Sequence, residues 1–160
     1  MTFDPTITVV DELATWLNTV ALDDITDTNR HDALQRLRHI VGRRIFIARQ
    51  PDRDTAPTLV LTTTGRRVVY GINGLVDLIE TTIEAQIVAR TEDGHRVVLA
   101  AQDCLLWALS SYEGAIGRIT VRQIEQERVQ VFCTPPRDQS TTWEHESTAD
   151  YVIQHKDHTH

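Results

Sequence analysis

The longest uninterrupted apolar run in this chain is Cys104 to Leu109. A membrane span needs about 18 such residues, so the fold must bury amphipathic elements against one another. The 160 residues suffice for one such core. An apolar content of 41% and a charged content of 24% are those of a globular chain, not a disordered one. The opening Met1-Thr2-Phe3-Asp4-Pro5 has neither the basic nor the apolar region of a secretion signal. Cys104 and Cys133, each in an apolar pattern, read as buried thiols of a reducing compartment, with a disulfide or a reactive thiol as the alternative. The expectation is a cytoplasmic protein with no membrane partner.

Helical periodicity dominates the N-terminal part. Val9, Leu13, Trp16, Leu17 and Val20 form one stripe. Thr8 and Asp11 resemble a capping box with Asp for the usual Glu, and Asp23-Asp24 ends the helix near Leu22. A second helix, capped by Asp27 or Thr28, carries Ala33, Leu34, Leu37, Ile40 and Val41 and stops at Gly42. Together they predict an N-terminal helical hairpin.

The remainder reads as strands and turns. Ile45 to Ala48 is a short strand, followed by an exposed loop from Gln50 to Pro57. Hairpins are predicted at Thr58–Thr62 with Arg67–Tyr70 about Thr64-Gly65, at Glu84–Arg90 with His95–Ala100 about Asp93-Gly94, and at Arg118–Gln123 with Arg128–Cys133. Between them, Asn73 caps a helix over Gly74–Ile83 and Asp103 caps one over Cys104–Glu113. The latter is apolar almost all round, which suits a central core element or half of an interface.

Gly65 to Tyr70 matches Gly94 to Leu99, with Thr81-Thr82 against Ser110-Ser111 and Glu84 against Glu113 in the same register. The match allows an internal duplication of ββα type; chance similarity of short Val-Val segments is the competing reading. The fold class is therefore α+β: a helical hairpin, then an antiparallel sheet of six to seven strands with two helices packed on one face. Residues 1–134 make the domain. Residues 135–160, polar after Pro135-Pro136, make a linker and a partly disordered tail, onto which Trp143 and Tyr151 to Ile153 can dock back as a terminal strand.

No residue constellation stands out as catalytic. Seven arginines against three acids lie between Asp27 and Arg53, which leaves the rest of the chain more acidic than its net of −7. Arg30, Arg36, Arg38, Arg43 and Arg44 on and after the second helix are the candidate binding residues for an anionic partner, with a solvated helix face as the plainer account. Trp107, Leu106 and Tyr112 are the candidate interface. His155, His158 and His160 are the only metal alternative, and they lack a partner cluster with structural-zinc spacing. The carboxylates Glu80, Glu84, Glu125 and Glu127 are placed at exposed ends of elements. Cys104 at a helix start is the one candidate nucleophile, though a small buried apolar residue explains it as well. No cofactor is implied.

Three functions are compatible with this reading. The first is a non-catalytic interaction, regulatory or accessory protein working through protein contacts, homodimerisation included. The second is a nucleic-acid-associated protein using residues 30–53, which a net charge of −7 disfavours. The third is a small enzyme of unknown class.

Overall fold

The computed structural model describes residues 8–49, 56–136 and 143–156. Three helices and six strands follow one another as α1 (Val9–Thr19), a short 3-10 turn (Leu22–Asp24), α2 (Thr28–Val41), β1 (Ile45–Ile47), β2 (Thr58–Tyr70), β3 (Val76–Ala89), α3 (Gly94–Leu109), β4 (Gly114–Ile116), β5 (Ile119–Thr134) and β6 (Glu144–His155). The strands form one mixed sheet in the order β1-β2-β3-β6-β5-β4. Only β1–β2 is parallel; the other neighbours are antiparallel. The class is α+β, as expected, and the wholly antiparallel sheet is corrected by that one parallel pair.

Both N-terminal helices form where their stripes and caps lie. The Thr8 side chain accepts from the Asp11 amide, and Asp27 accepts from the Arg30 amide at 2.9 Å. Gly42 closes α2 at φ 58°, a conformation that favours glycine. The helical hairpin is loose, however. α2 packs chiefly on α3, while α1 reaches β1, β2 and β4. Since β1 and β4 are the two outermost strands, the sheet must curl for one helix to touch both.

Four elements differ from the sequence reading, the first because β-branched residues also fall at helical spacings. The segment over 74–83 is not a helix. It begins with a turn and continues as β3, where Ile79, Thr81, Ile83, Ala85 and Ile87 are buried on alternate positions. Asn73 accepts from the Leu75 amide at 3.1 Å and shapes the β2–β3 turn instead of capping a helix. Residues 95–100 are not a strand; α3 starts at Gly94, so Asp93-Gly94 opens a helix and not a hairpin. Hence Gly65 to Tyr70 is strand and Gly94 to Leu99 is helix, and the internal match is not a structural repeat. Finally, β2 and β5 are each one long strand with register shifts where turns were expected, at Thr63/Gly65 and Gln126/Arg128.

The largest correction concerns the C-terminus. Residues 144–155 are not part of a linker and tail: β6 lies between β3 and β5 at the middle of the sheet, and Ala149, Tyr151 and Ile153 belong to the core. Residues 137–142 and 157–160 lie outside the described residues. Along the strand, buried Ser147, Ala149, Tyr151 and Ile153 alternate with half-buried Thr148, Asp150, Val152 and Gln154, so one face is fully covered. Those inward residues sit beneath α3, whose Val98, Ala101, Leu105 and Leu109 complete the core.

Candidate interaction surfaces

The arginines of the second helix separate into two groups. Arg30 donates to the carbonyls of Ala108 and Ser110 at 3.0 and 2.9 Å, closing the C-terminus of α3, and its guanidinium lies over the Tyr112 ring. Arg38 does the same for α1, donating to the carbonyls of Leu17 and Val20 at 2.8 Å each. Arg44 joins the carbonyls of Pro57 and Ile40 at 2.8 and 3.1 Å. The last carbonyls of a helix have no partners within the helix, and a guanidinium satisfies them while relieving the macrodipole. These three arginines therefore clamp the fold together. Burial pushes the Arg38 guanidinium pKa below its ordinary value. Arg36 on α2 and Arg43 just after it are the two of the five that are exposed.

Of the predicted interface residues, only Trp107 is presented outward, at 57% exposure. Leu106 is half-buried. Tyr112 stacks edge-on against Trp16 with centroids 5.2 Å apart. The apolar circumference of α3 has an internal explanation: one side faces β3 and β6, and another faces α2. Between α2 and α3 runs a groove of about 370 Å³ lined by Asn29, Asp32, Ala33, Arg36, Ala100, Asp103, Cys104 and Trp107.

Cys104 forms part of that groove but is buried, and burial pushes its thiol pKa up; Arg36 opposes the shift and Asp103 adds to it. A raised thiol holds less thiolate at neutral pH, the reverse of an activated nucleophile. Cys133, expected to be buried, is exposed, on a strand that α3 scarcely touches.

His155 is buried in the core, with Nε2 2.8 Å from the Thr81 hydroxyl and Nδ1 3.0 Å from the Lys156 carbonyl. Both ring nitrogens face protein partners, so it is not a tail ligand; His158 and His160 lie outside the described residues. Among the described residues no group of three or more His, Cys, Asp or Glu is arranged to hold a metal ion. Nor is any described helix long and apolar enough to cross a membrane. Glu80 pairs with Arg67 at 3.0 Å, and Glu84 stands opposite Asp150 on the outer face of the sheet.

The sequence reading missed three features. Glu12 is buried and accepts from the Arg118 backbone and side chain at 3.0 and 2.7 Å, tying α1 to the β4–β5 turn. Gln102, Ser147 and Tyr151 form a buried polar network under α3. The third is the outer edge of β5. β4 covers it only at Ile119–Val121, so among the described residues 124–134 have no strand neighbour on that side. Val129 and Val131 pair with Ala149 and Ser147, which places them on the helix-bearing face. They lie to the side of α3, which packs mainly on β6 and β3, and are 46% and 40% exposed. Phe132 on the opposite face and Trp143 nearby in sequence are exposed as well. The alternation Val129-Gln130-Val131-Phe132-Cys133 was visible in the sequence; that no strand among the described residues covers it was not.

No family model and no curated protein matches this chain. Solved structures do resemble it. One is a chain from the "Virion of native gene transfer agent (GTA) particle", with a TM-score of 0.50 and 12% identity over 86% of this chain and 99% of that one. At that identity the likeness is one of fold.

Proposed function

We propose that this chain is a non-catalytic assembly subunit, working by contact with other protein chains, its own copies included. The observation that carries the reading is the uncovered edge of β5. Among the described residues, an edge of about ten residues presents backbone donors and acceptors with no strand partner, together with Val129, Val131 and Phe132. Proteins that work alone blunt such edges with charges, prolines or short strands; Glu125, Glu127, Arg128 and the Gln126/Arg128 register shift do so over the first half of this edge, whereas Val129 to Cys133 carry no charge before Pro135-Pro136. Addition of a partner strand would satisfy the backbone and cover the side chains together. The structural neighbour belongs to a virion particle, an assembly of many chains, which agrees with this reading.

The nucleic-acid alternative has less to stand on, because three of its five arginines already hold backbone carbonyls. An enzymatic reading has no activated group in the groove, since burial raises the Cys104 thiol.

The test is sedimentation of the wild-type chain and of the double variant Val129→Lys/Val131→Lys across a concentration series. Both positions are exposed, so the variant should keep its melting temperature. The wild type is expected to form concentration-dependent assemblies, and the variant to shift to smaller mass. Indistinguishable profiles would remove the edge from consideration.

A further inference from the structure

The open part of the β5 edge is stopped at both ends in a way that fits it to itself. We infer that this edge takes the same edge of a second copy, antiparallel, about a two-fold axis through Val131. The pairing rests on the assembly reading and gives that reading one partner and one register.

Every residue from Val129 to Cys133 is exposed, on both faces of the strand, and none carries a charge. On one side of this run Glu127 is the extra residue at the Gln126/Arg128 register shift, where a ladder is interrupted. On the other side Pro135 and Pro136 have no N–H to give. The usable ladder therefore runs from Arg128 to Thr134.

Residues that face each other across an antiparallel ladder share one side of the sheet, and successive residues alternate sides. A symmetric ladder thus cannot pair a residue with its sequence neighbour, and its axis passes through a residue that faces itself. Val131 is the midpoint both of the uncharged run and of the usable ladder. With the axis there, Val129 faces Cys133 of the second copy, Gln130 faces Phe132, and Arg128 faces Thr134. Glu127 then falls opposite Pro135 and Gln126 opposite Pro136, so the backbone that cannot extend the ladder in one copy meets its counterpart in the other. No charge lies opposite another. An axis at Gln130 would set Glu127 against Cys133 and Arg128 against Phe132; an axis at Phe132 would set Val129 against Pro135. The coincidence of both stops belongs to this sequence read against itself, which is what selects a second copy as the partner.

The helix layer leaves room for the contact, because α3 packs chiefly on β6 and β3 and scarcely on β5. A two-fold axis normal to the sheet keeps both helix layers on one side, with Val129, Val131 and Cys133 of the two copies between them. Such an interface is isologous and closes as a dimer.

Disulfide formation reads the register, since facing Cα atoms lie roughly 4.5–5.5 Å apart, within the reach of a disulfide. Full-length chains are oxidised mildly and analysed without reductant. In a Cys133→Ser background, Val131→Cys is expected to give a covalent dimer, whereas Gln130→Cys, its neighbour on the opposite face, is not. Val129→Cys with Cys133 retained gives an independent second route: it is expected to dimerise through Cys133 of the second copy, and Val129→Cys/Cys133→Ser to stay uncrosslinked. All of these positions are exposed, and each variant is checked for the wild-type melting temperature. Sedimentation of the wild type and of Val129→Lys/Val131→Lys runs alongside. If the lysine pair lowers the mass but neither Val131→Cys nor Val129→Cys crosslinks, the two-fold pairing is overturned while the edge reading stands. Crosslinking through Gln130→Cys in place of Val131→Cys overturns the axis. A wild type that stays monomeric when pure overturns self-pairing and leaves the edge to a strand of another chain.

Discussion

Tyr151 shows how a single side chain couples the core to pH. Its hydroxyl lies under α3, donating to Gln102 at 3.3 Å and accepting from Gln126 at 3.0 Å. Burial drives its pKa well above the ordinary tyrosine value; the Gln126 bond opposes this weakly, and Asp103 adds to it. A raised folded-state pKa means that the neutral phenol is the form the fold holds. Its contribution is complete below the unfolded value of about 10 and is lost as pH rises toward the folded value. Urea denaturation should therefore show wild-type stability falling above about pH 10, with a shallower fall for Tyr151→Phe. At neutral pH the same variant should lose about 1 kcal/mol, because Gln102 and Gln126 each lose a partner. Gly117 is equally local: at φ 56°, with a Cβ there overlapping the Glu12 carboxylate, glycine is what lets the Glu12–Arg118 pair close. Neither role was legible beforehand. A tyrosine on a strand and a glycine in a turn look ordinary until the partner 25 or more residues away is known.

At the scale of elements, helix ends rather than helix faces explain the arginine-rich stretch. Arg38 joins the last turn of α1 to α2, and Arg30 joins the last turn of α3 to α2. Replacing Arg38 with Met keeps the aliphatic stem but leaves the Leu17 and Val20 carbonyls without this donor. The expected loss is about 2 kcal/mol in thermal or chemical unfolding, with no change in assembly. Asp27, Thr8 and Gly42 made α1 and α2 legible because capping is local chemistry. β3 was misread because Leu75, Val76, Ile79 and Ile83 satisfy a helical stripe while Ile79, Ile83 and Ile87 also fit a strand. In β3 the β-branched character and the pairing with β2 and β6 decide between the two.

For the whole molecule, the position of β6 is the governing fact. The last strand of the chain is the central one, so the sheet cannot close until the C-terminal segment has inserted between β3 and β5. Truncation after Thr142 is expected to abolish cooperative unfolding by circular dichroism, whereas a dispensable tail would leave the melt unchanged. The same topology leaves edges at opposite corners. β1 covers one end of β2 and β4 covers the opposite end of β5, leaving the rest of both strands open among the described residues. The β5 edge on which the proposed assembly rests lies on the uncovered part of this layout.

What the sequence determined by itself was whatever depends on neighbours along the chain: an α+β class, two capped N-terminal helices, the short strand at Ile45, and an apolar helix through Cys104–Leu109. Tertiary structure decided the rest. Strand order, the insertion of β6, the role of each arginine and the exposure of Val129 and Val131 depend on which segments meet across the fold. Local free energies for strand and helix differ by less than the burial of a few side chains, so long-range packing settles the assignment where a segment suits both.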